Sequence, residues 1–183
     1  TISTRDGNSN QIVSSIDPLG RTTRFEYDAA GNVITITDPN NQATRFEYYP
    51  TWNRVTKITD ALNQVTEFTY DPTNGNLLAI KDPLNHVTTI TYNGFGQPLS
   101  VQGPIATEPP TTFAYDPNGN LITTTDPLGN STQRVYDAVS RLLSLTDPRG
   151  LVTQFRYDGL NRVTEIADAR QGLTHFTYDP NGN

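Results

Sequence analysis

The residues best suited to chemistry are aspartates and asparagines crowded into two short segments. Asp116-Pro117-Asn118-Gly119-Asn120 and Asp179-Pro180-Asn181-Gly182-Asn183 bring together oxygen ligands, the type that Ca²⁺ prefers. A calcium loop of the EF-hand type spaces its ligands over about 12 residues and ends in a bidentate Glu, which neither segment has. Because Asp and Asn also bond the backbone of tight turns, these segments predict turns rather than metal sites.

The other chemically capable side chains are isolated from one another. The chain has no Cys and two His, which excludes a thiol nucleophile and a His-rich zinc site. We predict His86 and His175 to be solvated surface residues, and we expect no cofactor, no metal and no enzymatic activity. Asn130-Ser131-Thr132 matches a glycosylation sequon, which has meaning only in a eukaryotic secretory protein.

Trp52 is the only tryptophan and lies close to Tyr48, Tyr49 and Arg54 in the sequence. Such a residue can stack on a sugar ring. Aromatic packing or a cation–π contact with the arginine is the favoured interpretation.

Composition excludes several classes of partner. The 183 residues carry 13 Lys and Arg against 19 Asp and Glu, a net charge of −6 with no basic cluster. The chain therefore lacks the positive charge that drives binding to nucleic acids or anionic membranes. No apolar run approaches the ~20 residues of a membrane span, and the N-terminus has no signal-peptide pattern, so we expect any export signal outside this chain. With 34% hydrophobic residues, a thick core is not expected.

A repeat of 21 to 23 residues organises the chain from about residue 10 to residue 183. Its first marker is a tyrosine, at Tyr27, Tyr48, Tyr70, Tyr92, Tyr115, Tyr136, Tyr157 and Tyr178. Its second marker is an aspartate, at Asp17, Asp38, Asp60, Asp82, Asp126, Asp147 and Asp168, with Gly103 where one more aspartate is expected. The chain is thus a single array of about eight units, which we expect to be a fragment of a longer protein.

Each unit contains two turn signals about ten residues apart. Asp17-Pro18-Leu19-Gly20 is typical of a type I turn, because Asp bonds the turn backbone and Pro presets φ. The second signal, as in Asp28-Ala29-Ala30-Gly31, closes with a residue suited to the left-handed region in seven of eight units. That combination is a common hairpin closure with a bulge. The closing positions are Gly31, Asn53, Gly75, Gly96, Gly119, Ser140, Asn161 and Gly182.

The segments between the turns alternate with a period of two, as β-strands do. In residues 23–27, Thr23, Phe25 and Tyr27 fall on one face, whereas Arg24 and Glu26 fall on the other. At the position of Ile36 the return strands carry Ile58, Ile80, Val101, Leu145 and Ile166, with Thr124 as the polar exception. The same alignment assigns residues 131–147 to strands, although they lack Gly and Pro and are the best helix candidate. We predict an all-β fold of sixteen strands in tandem hairpins, forming one continuous antiparallel sheet that coils.

This unit resembles the Rhs/YD repeat, named after the Tyr-Asp pair found here in six units, for example at Tyr27-Asp28 and Tyr70-Asp71. Tyr48-Tyr49 and Tyr92-Asn93 depart from the pair. The resemblance implies a β-hairpin array that spirals into a hollow shell, as in bacterial Rhs polymorphic toxins, the cocoon components of insecticidal toxin complexes, wall-associated proteins and teneurins. In the toxin members the shell encloses a C-terminal effector.

Two segments differ from an ordinary unit or resemble a functional element. Residues 103–110 replace the aspartate, add two residues and contain three prolines, which predicts a protruding loop at a sheet rim. This loop is the best place for a specific contact, although an irrelevant insertion is the favoured interpretation. Asp147-Pro148-Arg149-Gly150-Leu151 resembles the element at which some family members cleave themselves. It continues into an ordinary unit, so an ordinary turn is favoured.

Two classes of function follow from these observations. The leading hypothesis is a structural shell segment that encloses or supports an effector in a large secreted or surface protein, with flanking repeats and a C-terminal effector as partners. The physical basis of this hypothesis is that the apolar face of a single-layer sheet must be covered by other coils, a plug or cargo. The alternatives are an adhesive or carbohydrate-binding module that contacts a glycan or a cell-surface receptor, and a subunit of an extracellular filament.

Overall fold

The computed structural model describes residues 1–182 as two compact units, Thr1–Ile90 and from Thr91 onward, built only of β-strands and their connections. No helix among these residues is long and apolar enough to cross a membrane. The strands are β1 Ile2–Arg5, β2 Ile12–Ile16, β3 Thr22–Tyr27, β4 Val33–Thr37, β5 Ala43–Tyr49, β6 Arg54–Thr59, β7 Val65–Tyr70, β8 Leu77–Lys81, β9 Val87–Tyr92, β10 Pro98–Gln102, β11 Thr111–Tyr115, β12 Leu121–Thr125, β13 Ser131–Tyr136, β14 Leu142–Thr146, β15 Val152–Tyr157, β16 Val163–Ala167 and β17 Leu173–His175.

In both units each strand pairs antiparallel with its neighbour in the sequence, so the prediction of tandem hairpins is confirmed. Residues 131–147 form β13 and β14 rather than a helix, also as predicted. The described residues contain one strand more than the sixteen expected. The additional strand, β1, pairs with β2 but precedes the first recognisable repeat, so the repeat alignment could not find it.

Two kinds of strand pairing alternate along the chain. Across the Tyr-Asp turn the pairing continues to the tyrosine through a bulge: Glu26 pairs with Thr35, whereas Tyr27 pairs with Val33. The same shift beside the tyrosine occurs in five other hairpins, which confirms the predicted bulged closure. Across the Asp-Pro turn the register instead covers three residue pairs, such as Ser14 with Arg24, and ends well before the tyrosine.

None of the hydrophobic side chains in the described part of the chain is fully buried. The pattern of exposure nevertheless follows the pleat: in β3, Phe25 and Tyr27 are half-buried, whereas Arg24 and Glu26 between them are exposed. Because a single sheet has no second layer, its apolar residues shelter one another only along the sheet. The absence of a thick core agrees with the low hydrophobic content.

Candidate functional site

The turns that begin with Asp-Pro are held by their aspartate. Asp17 Oδ1 accepts hydrogen bonds from the backbone N–H of Leu19 at 2.8 Å and of Arg21 at 3.0 Å, and Gly20 N–H donates to the Asp17 carbonyl. The backbone N–H of Arg21 is the main cause of the lowered pKa of the Asp17 carboxyl. The marker aspartates of the other units accept the same pair of backbone bonds: Asp38, Asp60, Asp82, Asp126, Asp147 and Asp168.

The Tyr-Asp turns use the same geometry at the opposite ends of the strands. Asp28 Oδ1 accepts from the backbone of Ala30 and Asn32, and the Asn32 side chain donates to Asp28 Oδ2 at 2.9 Å. In the unit with Tyr92-Asn93, Asn93 Oδ1 accepts the equivalent two backbone bonds. An oxygen acceptor at this position therefore works without a negative charge, so asparagine can replace the family's aspartate there.

All eight predicted closing positions of the Tyr-Asp turns adopt positive φ, which confirms the prediction. The range runs from 49° at Asn53 to 89° at Gly31. Gly75 has a second constraint: a Cβ on this residue would lie 3.3 Å from Trp52 Cδ2. The Asp-Pro turns also close with a left-handed residue, including Gly20 and Asn41, a conformation that sequence analysis had assigned only to the other turn.

The repeated tyrosines bridge neighbouring strands through their hydroxyl groups. Tyr48 Oη donates to the carbonyl of Val33 at 2.7 Å, and Val33 begins the strand that pairs with β5 across the Asp-Pro turn. The bond lies at the end where the backbone register of β4 and β5 no longer continues. This hydrogen bond therefore joins neighbouring hairpins where their backbone pairing has ended. The sequence analysis did not predict it. The same bond, to the residue 15 positions earlier, is made by Tyr27, Tyr70, Tyr157 and Tyr178.

In several units the residue after the closing position links one Tyr-Asp turn to the next. Gln97 Nε2 donates to the Gly119 carbonyl at 2.8 Å, and Arg54 Nη1 donates to the Gly75 carbonyl. Arg141 binds Asp137 in its own turn, donates to Asn161 in the next, and places its guanidinium carbon 5.0 Å from the ring centroid of Tyr157. Neighbouring repeats are thus coupled through their turns as well as through the sheet.

One face of the strands carries the large apolar side chains, and we call it the apolar face. Phe25 pairs with Ile36 across β3 and β4, and the same pairing recurs at Phe46 and Ile58, Phe68 and Ile80, and Phe155 and Ile166. These side chains are half-buried. In the described residues no further layer lies on them.

The opposite face carries cross-strand charges. Glu47, Lys57, Glu67 and Lys81 occupy consecutive register positions on β5 to β8, with Lys57 Nζ 2.9 Å from Glu47 and Lys81 Nζ 3.2 Å from Glu67. The hydrogen bond that Lys57 Nζ donates to Glu47 is the main cause of the raised pKa of Lys57. These side chains are 35–65% exposed, so water screens the pairs and the row contributes little to stability.

The apolar face contains one polar pair that sequence analysis only half recognised. Thr124, noted as the exception among the aliphatic residues, accepts a hydrogen bond from Arg134 Nη1 at 3.2 Å. Arg134 holds the position of Phe25 in the repeat. Alignment of the repeat units could have revealed this pair, because it places Thr124 and Arg134, the two polar residues at apolar positions, in successive strands.

Residues 103–110 form the predicted loop between β10 and β11. The Gln102 side-chain amide holds it: Nε2 lies 3.0 to 3.3 Å from three carbonyls, those of Gly103, Ile105 and Glu108, which share its two hydrogens. The loop therefore has a defined conformation, while its role as a contact site stays a prediction.

The tryptophan packs against its own chain. The Trp52 and Tyr49 rings are stacked with centroids 4.9 Å apart, so the aromatic-packing interpretation is confirmed. The arginine beside it, Arg54, instead lies over the ring of Tyr70 at 5.7 Å. Carbohydrate binding by Trp52 stays an untested prediction.

The remaining candidate residues lie in ordinary turns or on the exposed face. His86 Nδ1 lies 2.9 Å from Asp82 and His175 Nδ1 lies 3.4 Å from Glu165, with both imidazoles more than half exposed. The Asp147 carboxylate is engaged by the backbone and side chain of Arg149 within its turn. Asn130 Nδ2 donates to Asp126. Within residues 1–182 no three His, Cys, Asp or Glu side chains are grouped to hold a metal.

The family model described as RHS Repeat matches residues 6–43, 27–48, 115–152 and 136–173, which together make up more than half of the chain. No curated protein matches it.

Solved structures share the fold at low identity. A crystal structure of TcdB2-TccC3-Cdc42 is 18% identical over 87% of this chain, with a TM-score of 0.67. One of TcdB2-TccC3 without the hypervariable C-terminal region is 15% identical over 99% of this chain, with a TM-score of 0.69. This chain spans 10% and 12% of those much longer chains.

Proposed function

The chain belongs to the RHS repeat family, and on that premise we propose that it is a wall segment of a larger shell that encloses or supports an effector. The parent protein would be secreted or surface-associated, and this segment would have no catalytic activity of its own. The observation that carries the proposal is the apolar face, which has no cover among the described residues. A single sheet with such a face requires something to lie against it.

The apolar face needs a cover because part of its apolar surface stays in contact with water. Complete burial of a Phe or Ile side chain is worth about 1.5–3 kcal/mol, and the half-buried Phe46 and Ile58 realise only part of that. Because most units repeat such residues, the remaining gain grows with the number of units. A polypeptide that lies along the apolar face would bury this remaining apolar surface in many units at once. This favours containment of a folded or unfolded protein over binding of a small ligand.

The similar structures support the same function by their architecture. Their fold matches, and one of them is described as TcdB2-TccC3 without its hypervariable C-terminal region. An effector enclosed by a shell would be a variable segment attached to a constant wall. We therefore propose a C-terminal effector and flanking repeats as the partners of this chain.

The proposal is tested by measuring how the apolar face of the 183-residue protein behaves without a partner. We expect Nile red, a neutral apolar dye, to bind with increased fluorescence, and we expect the protein to self-associate. Ile58→Thr should reduce both, because threonine removes apolar area yet is accepted at the equivalent position by Thr124. Glu26→Thr, on the exposed face, is the matched control and should change neither. A monomeric protein that unfolds cooperatively and does not bind the dye would refute the need for a cover.

A further inference from the structure

Arg134 occupies a position on the apolar face that is otherwise apolar. Counted from the repeated tyrosine, the corresponding residues are Phe25, Phe46, Phe68, Ile90, Phe113, Phe155 and Phe176. Arg134 is half-buried, whereas its neighbours Gln133 and Val135 are exposed on the opposite face. The charge is thus turned toward the side of the sheet that the proposed function requires to be covered.

The guanidinium is poorly satisfied where it lies. Its one hydrogen bond within the described residues goes to the neutral hydroxyl of Thr124, and its register partner on the other side is Leu145. The flanking strands β12 and β14 contain no Asp or Glu, and no ion pair to Arg134 occurs among residues 1–182. An arginine has five N–H donors, so four remain for water or for a partner.

Covering the apolar face would remove that water. A charged group that loses its hydration without a counter-charge is strongly disfavoured, whereas a bidentate arginine–carboxylate pair restores the lost bonds. Arg24 and Arg45 do not face this problem, because they are exposed on the opposite face. The cover must therefore present an acceptor at Arg134 and apolar atoms around it.

We propose that Arg134 is an anchor site for a carboxylate of the polypeptide that covers the apolar face. The inference rests on the proposed function, and it specifies the partner: an Asp, Glu or C-terminal carboxylate flanked by apolar side chains. Phe113 and Leu145, on the strands around Arg134, would contact those side chains. The pair would also fix the register of the cover, since one charge on an otherwise apolar face accepts only one alignment.

Small probes test the site without knowledge of the natural partner. Phenylbutyrate, phenylbutanol and phenylbutylamine share an apolar body and differ in a carboxylate, a neutral or a cationic end. We expect phenylbutyrate to bind the 183-residue protein about five- to tenfold more tightly than phenylbutanol, and phenylbutylamine to bind most weakly. The side-chain Nε–H resonance of Arg134 in NMR spectra should shift with phenylbutyrate, and the preference should fall at high salt.

Variants separate this site from general charge. Arg134→Gln should remove the preference for phenylbutyrate while leaving the affinity for phenylbutanol unchanged. Arg134→Phe introduces the residue that six other units carry, should fold at least as well, and should also remove the preference. Arg170→Gln, at an exposed turn with no side-chain bond among the described residues, is the matched control and should preserve it.

Equal affinity for the three probes, no detectable binding of any of them, or a preference that survives Arg134→Gln would overturn the anchor. Nile red binding distinguishes this failure from failure of the proposed function. If the dye still binds in an Ile58-dependent way, the apolar face needs a cover but Arg134 does not select it. If the dye does not bind either, both proposals fall.

Discussion

Removal of one tyrosine hydroxyl tests whether the repeats are held together where their backbone pairing ends. Tyr48→Phe keeps the ring and deletes the bond from Tyr48 Oη to the Val33 carbonyl, which at 2.7 Å has the usual length for O–H···O. A bond of this kind contributes about 0.5–1.5 kcal/mol. We expect the loss to appear first at β4 and β5, because their three backbone register pairs lie at the opposite end of the strands.

Hydrogen exchange measured by NMR is the appropriate assay, since it reports local opening. The amides of β4 and β5 should exchange about two- to twelvefold faster in Tyr48→Phe, which corresponds to 0.5–1.5 kcal/mol, while distant strands keep their rates. The apparent melting temperature should fall by about 1–6 °C.

The control is the neighbouring residue. Tyr49→Phe makes the same chemical change, but its hydroxyl has no hydrogen-bond partner in the described chain and its ring stacks on Trp52. We expect Tyr49→Phe to leave the exchange rates unchanged. Equal effects of the two variants, or an unchanged rate at β4 and β5 in Tyr48→Phe, would show that the hydroxyl bond does not hold the hairpins together.

Three further outcomes are expected. The stability that the Asp28 carboxylate contributes should be present above the ordinary aspartate pKa of 3.8 and lost as the pH falls below it, because hydrogen bonds, chiefly from the Asn32 side chain, lower the pKa of Asp28 in the folded state. Unfolding in urea measures this loss, and a stability that stays flat from neutral pH to pH ~2 would contradict it. Gly75→Ala should destabilise by about 1–2 kcal/mol, since φ is +75° and Trp52 lies close, whereas Gly7→Ala, in open space, should have little effect in thermal unfolding. The free energy of unfolding of the double variant Arg134→Phe with Thr124→Ile should be higher than the sum of the two single changes predicts, because each single change already breaks the bond between these side chains. Changes that are additive in a double-mutant cycle would argue against this coupling.

Much of the fold was predictable because its determinants are local. An aspartate bonds the backbone of its own turn, and a glycine or asparagine closes it, so residues 17–20 and 28–31 encode turns without knowledge of anything distant. Alternation in residues 23–27 then assigns the faces of the strand. The strand β1 was missed because it carries no repeat signature, although it pairs with β2 as the later strands do.

The amino-acid sequence by itself thus determined the hairpins, the bulged closures and the division into an apolar and a charged face, since each depends on neighbours within a few positions. Tertiary structure decided which side chains meet between hairpins. That Tyr48 reaches Val33, that Gln97 reaches Gly119 and that Arg134 meets Thr124 depends on the lateral register and separation of strands, and a bulge of one residue is enough to change such meetings.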